Sequence, residues 1–239
     1  MFIARTVTSR STARVNEPCG PAHLEWLATS GESSPLVYVP LLDRLLYRHP
    51  FEGPSARRYA RDERPAFGDL DDRLLDLLAI APTGRLLDLG CGPGTFARAA
   101  AVRHPGLTVI AIDPSRDFAQ PGVLRGRGEA LPLADASIDL AICLSSIRHV
   151  RDRAETFREL RRVVRGRLVI VELDPAADRT RIAAHADHLP PVLRHTFAPL
   201  VLRTAPPAVA IARLAADAGF AHCSMRGDPI QPVYILELA

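Results

Sequence analysis

Lysine is absent from this chain: all 30 basic residues are arginine. That excludes mechanisms resting on a lysine amine, from Schiff-base catalysis and pyridoxal-phosphate attachment to the phosphate-binding lysine of a Walker turn. Cysteine is sparse. Cys19, Cys91, Cys143 and Cys223 form no C-x-x-C pair, so neither a disulfide framework nor a metal site is expected, and reduced thiols in a cytoplasmic protein are the default. No apolar run reaches the roughly 18 residues that span a bilayer, so no membrane partner is expected. Residues 1–5 lack the apolar core of a secretory signal. The first 14 residues, rich in Arg, Ser and Thr without an acid, read as a frayed tail, although transit peptides share that composition. One-sided charge is missing too. A net charge of +3 is too small to argue for a nucleic-acid partner. The densest basic stretch, residues 148–167, intersperses Asp152, Glu155 and Glu159, while Ala154, Phe157, Leu160 and Val164 recur at helical spacing. That pattern is an amphipathic helix with a solvated charged face. With 239 residues, 47% of them hydrophobic, the chain can bury one good core.

What is present is a glycine turn. Leu86, Leu87, Asp88 and Leu89 run into Gly90, Gly92 and Gly94, and an alanine-rich helical pattern follows. This reads as a buried strand, a tight turn and a helix N-terminus, the element that cradles nucleotide-like ligands in doubly wound folds. The glycines fall as G-x-G-x-G rather than the dinucleotide pattern G-x-G-x-x-G, and Asp88 precedes them by two residues. A carboxylate there repels a pyrophosphate but suits an ammonium or sulfonium group. A second β-branched run, residues 107–112, ends in Asp113, 19 positions after Gly94. An acid at the end of a second strand can accept hydrogen bonds from ribose hydroxyls, so the spacing suits an adenosine cofactor.

The stretch from Asp88 to Gly94 resembles the first motif of the class I S-adenosylmethionine-dependent methyltransferases. Residues 126–133, Gly-Arg-Gly-Glu-Ala-Leu-Pro-Leu, resemble the G-x-A-E-x-L-P segment of the small-molecule (type 11-like) branch, with Gly128 standing where that pattern has Ala. Residues 138–146 read as a fourth strand followed by Arg148-His149, where family members often carry a His-His pair. The resemblance covers roughly residues 57–239. It implies S-adenosylmethionine as cofactor. Asp88, Gly90, Cys91, Gly92 and Gly94 would then hold the methionine end, Asp113 with Pro114 the ribose, and Gly128 with Glu129 the adenine, while Leu144 and Ser145 would wall the methyl side.

Organisation along the chain agrees. Residues 1–35 are poorly patterned; residues 36–80 read as a helical cap, with helices near 36–47 and 55–64 and a stronger one, capped by Asp69 or Asp71, running to Ile80. From residue 81 strand and helix signals alternate, as a parallel sheet requires. Strands are predicted near 85–89, 107–112, 122–126, 138–144 and 167–173, and helices near 94–104, 151–165 and 206–218. The stretch between Pro114 and Pro121 leaves room for only a short or irregular helix. Residues 221–225 and 232–238 look like two closing strands joined by a hairpin, which forces antiparallel pairing. The fold class is therefore α/β: a Rossmann-like, doubly wound, mostly parallel seven-stranded sheet with its last strand antiparallel, plus the N-terminal cap. Residues 175–205 form a long connection, read as a substrate lid, whose apolar content favours a hydrophobic small-molecule substrate.

Methyl transfer from a sulfonium needs alignment more than acid–base chemistry, so the cofactor residues carry the reading. His149 is the candidate base, with a pocket wall or a loop hydrogen bond as its other reading. Glu172 and Asp174 either orient a substrate or cap their loop and pair with arginines. His185 and His188 share a helical face, but no third metal ligand is nominated. Phe51 and Tyr59 close the far side of the pocket or pack in a core. A non-catalytic S-adenosylmethionine-binding protein and an aminopropyltransferase are the alternatives on this fold; a nicotinamide oxidoreductase would need the other glycine spacing. Nothing in the sequence sets the acceptor atom or the oligomeric state.

Overall fold

The computed structural model describes residues 17–18, 51–61, 67–187, 195 and 204–239. Seven strands, β1 Thr83–Leu89, β2 Gly106–Asp113, β3 Val123–Arg125, β4 Ile138–Leu144, β5 Val164–Leu173, β6 His222–Gly227 and β7 Val233–Leu238, form one sheet in the order β3-β2-β1-β4-β5-β7-β6. A two-residue strand, Glu17–Pro18, extends the β6 edge. β1 to β5 are parallel, and β7 is antiparallel to both β5 and β6. The predicted doubly wound, mostly parallel seven-stranded sheet with its last strand antiparallel is present. Successive strands run outward from β1 in both directions, so the switch point lies between β1 and β4, where ligands of doubly wound sheets bind beyond the carboxyl ends.

Alternation along the strands sorts the core into two layers. Leu87, Leu89, Leu168 and Ile170 pack with Phe157 of α4 (Arg153–Val163) and Ile211 of α6 (Ala208–Asp217). Leu86, Val169 and Val171 face the other way, against Phe96 of α3 (Thr95–Arg103) and Leu74 of α2 (Leu70–Leu77). Both strand faces are therefore apolar, which is why the sequence shows continuous runs there rather than alternation.

Local differences have local causes. β5 begins three residues before the predicted 167, directly from the end of α4, with a register shift opposite Ile138 and Leu140. Gly166 permits this, since a Cβ there would fall 2.0 Å from the Asp139 carbonyl oxygen. Between β2 and β3 the chain makes turns and no helix. Asp69 occupies the N-cap of α2 without capping it; its Oδ1 instead accepts from Arg73 Nε at 2.9 Å. The helix predicted near 55–64 is α1, Pro54–Arg61. Within the expected lid, α5 covers Arg179–His185. The expected helix near 36–47 and His188 lie outside the described residues.

Candidate cofactor and acceptor site

The carboxyl ends of β1, β2 and β4 meet at the glycine turn. Gly90, Gly92 and Gly94 all take positive φ, of 72°, 55° and 71°. Gly90 is the tightest: a Cβ there would sit 2.4 Å from Ser146 Cβ, so the turn lies directly against the chain leaving β4. Ser146 Oγ donates to the Leu89 carbonyl at 2.7 Å, and the amides of Gly90 and Cys91 both donate to Ile112 O, at 2.8 and 3.2 Å. These bonds fasten the turn to both flanking strands. Gly94, in the left-handed region, starts α3. Cys91 is buried in the turn; burial, then the charges of Asp88 and Asp113, push its thiol well up. It is an inert small residue there, not a nucleophile.

Two buried carboxylates flank the turn. Asp88 is 1% exposed and Asp113 7%. Asp113 Oδ2 accepts from Gly92 N at 2.9 Å and Oδ1 from Ser115 N at 2.8 Å. Burial raises its pKa, and those two amides oppose the rise. A carboxylate offers about four lone-pair directions, so Asp113 retains acceptor capacity for a diol. Pro114 is exposed, and its carbonyl accepts from Arg125 Nε at 3.3 Å. Gly128 has a structural reason to depart from Ala: a Cβ would lie 2.7 Å from Cγ2 of fully buried Thr156. Glu129 Oε1 accepts from the amides of Arg151 and Asp152, both at 3.1 Å, and so anchors the chain entering α4. Leu144 is buried, and Ser145 holds φ 53° with its amide on Val171 O at 2.7 Å.

Beside the turn lies an aromatic group drawn from three distant segments. The Phe51 ring lies 4.9 Å from His149, 5.8 Å from Tyr59 and 6.2 Å from Phe118, between centroids. Phe118 is buried, 3.8 Å from where a Gly92 Cβ would project. Backbone and charge pin the segment before α1 onto the loop after Asp113. Ser115 Oγ donates to Phe51 O at 2.5 Å, while Asp117 accepts from Gly53 N at 2.6 Å and pairs with Arg57 at 2.6 Å. Sequence reasoning missed Phe118, Ser115 and Ser146. Phe118 falls in a non-periodic stretch between two prolines, and the only available signal was its distance of five residues from Asp113.

His149 sits on a 3₁₀ turn, Ile147–His149, with Nε2 accepting from Arg148 Nε at 3.2 Å. Burial, then the charges of Arg148 and Arg153, hold its pKa well below the usual range. Glu172 is fully buried, 3.5 Å from Arg148 Nε, and Asp174 Oδ1 accepts from Ala176 N at 2.8 Å. Glu172 therefore serves an ion pair and Asp174 its own loop. His185 lies away from the turn, on Gln231 Oε1 at 2.9 Å and against Phe67, while His195 is exposed. Among the described residues no group of three or more His, Cys, Asp or Glu is placed to hold a metal, and no helix is long and apolar enough to cross a membrane. A separate groove of about 450 Å³ opens at the opposite, amino edge of the sheet, where Asp139 is already taken by Arg85 N and Arg165.

The family model for the methyltransferase domain matches residues 87–170, the segment from the glycine turn to mid-β5. The match makes this segment a methyltransferase domain. An uncharacterised 37.1 kDa protein of a Streptomyces fradiae transposon is 35% identical over 162 residues, covering 62% of this chain and 46% of that protein. A ubiquinone/menaquinone biosynthesis C-methyltransferase of Syntrophotalea carbinolica is 32% identical over 148 residues, covering 48% and 62%. The chain thus spans less than two thirds of the length of either relative. The solved structure of an S-adenosylmethionine-dependent methyltransferase from Aquifex aeolicus superposes with TM-score 0.55 at 17% identity, covering 84% of this chain and 98% of that one. It shares the methyltransferase fold.

Proposed function

We propose that the protein transfers a methyl group from S-adenosylmethionine to a small, hydrophobic acceptor. The observation that carries this reading is the corner made by buried Asp88, three positive-φ glycines and buried Asp113. The donor set fits the cofactor. Asp88 and the turn from Gly90 to Gly94 with Cys91 would hold the methionine end, two acids suiting a ligand that is cationic at nitrogen and sulfur. Asp113, with Pro114 beside it, would take the ribose hydroxyls on the lone pairs left by Gly92 and Ser115. Gly128 and Glu129 would border the adenine, with Phe118 packing near the turn. Leu144 and Ser145 would line the methyl side. When bound, the sulfonium supplies the electrophilic methyl; the protein's part is to align it and keep water out.

The acceptor side is apolar, with Phe51 and Tyr59 across from the strand ends, which favours a hydrophobic substrate. His149 works here as a wall residue rather than a base, because the nitrogen that would take a proton already faces a guanidinium. A small-molecule acceptor also accords with the quinone-pathway name of the Syntrophotalea relative. Calorimetric titration with S-adenosylmethionine, S-adenosylhomocysteine and NAD tests the reading. Micromolar binding of both sulfur compounds with none of NAD is expected. Preference for NAD, or no binding of either sulfur compound, would refute it, and binding without turnover over a broad acceptor panel would leave a non-catalytic binding protein.

A further inference from the structure

Ser115 lies between the glycine corner and the aromatic group. It is 5% exposed, and both its amide and its hydroxyl are committed. The amide donates to Asp113 Oδ1 at 2.8 Å, while Asp113 Oδ2 takes the Gly92 amide at 2.9 Å. The hydroxyl donates to Phe51 O at 2.5 Å and accepts from Asp117 N at 3.2 Å. A hydroxyl carries one proton, so the Phe51 carbonyl receives the only one that the side chain can give. One buried residue thereby fixes a carboxylate beside the glycine turn and a backbone carbonyl 64 positions earlier.

Asp117 repeats the connection two residues on. Its Oδ2 accepts from Gly53 N and its Oδ1 from Arg57 Nη1, both at 2.6 Å. Gly53 takes φ 76°, and nothing lies within 4 Å of where its Cβ would project, so at this residue the chain is held by its amide rather than by packing. The rings follow the polar contacts: Phe51 and Tyr59 each meet Phe118 at 6.2 Å between centroids, and Phe118 is buried. Residues 51–61 therefore rest on residues 115–118, which are joined to the glycine turn through Asp113 and Gly92.

We propose, building on the methyl-transfer reading above, that Ser115 is a positioning residue that couples the cofactor corner to the aromatic wall. A ligand held on Asp113 steadies the carboxylate that receives the Ser115 amide. Fixing Ser115 keeps its hydroxyl on Phe51 and its lone pair on the Asp117 amide, and so keeps the Phe51 and Tyr59 rings in place. Such a coupling is one free energy shared by two events: whatever steadies residues 113–118 steadies residues 51–61. Ser115 touches neither reacting atom in this scheme; it acts through Asp113 on one side and Phe51 on the other.

Hydrogen–deuterium exchange of the full chain, read peptide by peptide, tests this with S-adenosylhomocysteine as the probe. Saturation with the probe is expected to slow exchange of residues 51–61 by about fivefold or more. S115A keeps the amide that holds Asp113 and removes only the hydroxyl. It is expected to bind the probe within about threefold of the unaltered protein, yet to lose the slowing at residues 51–61. R57Q changes a side chain that is 62% exposed, which leaves the core untouched, and should retain about half of the slowing. Exchange of β5 is the internal reference, because it reports global opening. Exchange of residues 51–61 that ignores the probe in unaltered protein, or full slowing in S115A with β5 still protected, would overturn the proposal. If S115A loses protection in β5 as well, R57Q decides: full slowing there overturns the proposal, and loss of about half sustains it. Failure of S-adenosylhomocysteine itself to bind is a separate result, and removes the methyl-transfer reading on which the proposal rests.

Discussion

At the scale of single residues, Gly128 and Thr156 form a matched pair. A Cβ on residue 128 would press on Thr156 Cγ2 at 2.7 Å and Oγ1 at 2.9 Å, and Thr156 is fully buried in the first turn of α4. G128A should therefore cost about 1–3 kcal/mol through overpacking. G128A/T156A should recover part of that loss, with a coupling energy of about 1 kcal/mol, because the methyl in the way is gone. Urea unfolding of the two single variants and the double checks this; simple additivity would contradict it. The sequence showed that residue 128 departs from the family pattern, but not why. The reason lies 28 residues on, and no periodicity links the two positions.

His149 yields a second residue-scale expectation. Its folded pKa lies well below the unfolded value of about 6.5, so the unfolded chain binds more protons between those two values. Stability then rises with pH across that window and falls as pH drops below about 6.5. Relative to H149Q, the unaltered protein should lose about 1–2 kcal/mol between pH 7 and pH 5. Parallel slopes for the two proteins would show that His149 is not held neutral. That His149 stands just past β4 was legible from the sequence; that its Nε2 is committed to Arg148 was not, because rotamers after a strand end answer to packing.

At the scale of elements, α4 is locked to the segment after β3 by Glu159. Its Oε2 accepts from Leu131 N at 2.7 Å and from Arg162 Nη2 at 2.8 Å, and its Oε1 from Arg162 Nε at 2.7 Å. The Arg162 hydrogen bonds, then the Leu131 amide, lower the Glu159 pKa. A lowered carboxylate contributes stability above its unfolded pKa of about 4.3 and loses it as pH falls through the folded value. E159Q is expected to cost about 1 kcal/mol at pH 7, with the difference from the unaltered protein closing below about pH 4. Chemical denaturation at both pH values measures it, and a gap that persists in acid would count against the ion pair. The amphipathic pattern predicted α4 itself well, since Phe157 and Leu160 are spaced for one face. Which charged residues of its outer face carry structure was invisible, as Glu155, Glu159 and their arginines look alike in sequence.

At the scale of the molecule, Asp228 ties three parts of the chain together. In the β6–β7 connection it pairs with Arg73 of α2, accepts from the amides of Ile230 and Gln231 at 3.0 and 2.6 Å, and offers its carbonyl to Arg181 of α5. It is 4% exposed. D228A should cost about 2–4 kcal/mol by leaving Arg73 and two amides short of an acceptor. Thermal unfolding measures this directly. D228N, which keeps an acceptor oxygen, should lose less. The hairpin was legible as a connection of the right length between two apolar runs. Its role as the junction between α2 and α5 was not, because Arg73 and Asp228 lie 155 positions apart.

Short-range patterns in the sequence alone determined the parallel α/β order, the closing antiparallel strand and the glycine turn with an acid on either side. These features are local: strand runs, helix spacing and the left-handed backbone at Gly90, Gly92 and Gly94 are written within a few residues of one another. Only the tertiary structure decided what stands opposite that turn. Phe51 reaches Ser115, Phe118 and His149 across gaps of more than 60 residues, and Glu172 meets Arg148 from a neighbouring strand end. Such contacts depend on how β1, β4 and β5 lie side by side, which no window of sequence contains. The glycine corner is therefore readable from the chain, while the aromatic wall opposite it exists only once the sheet has formed.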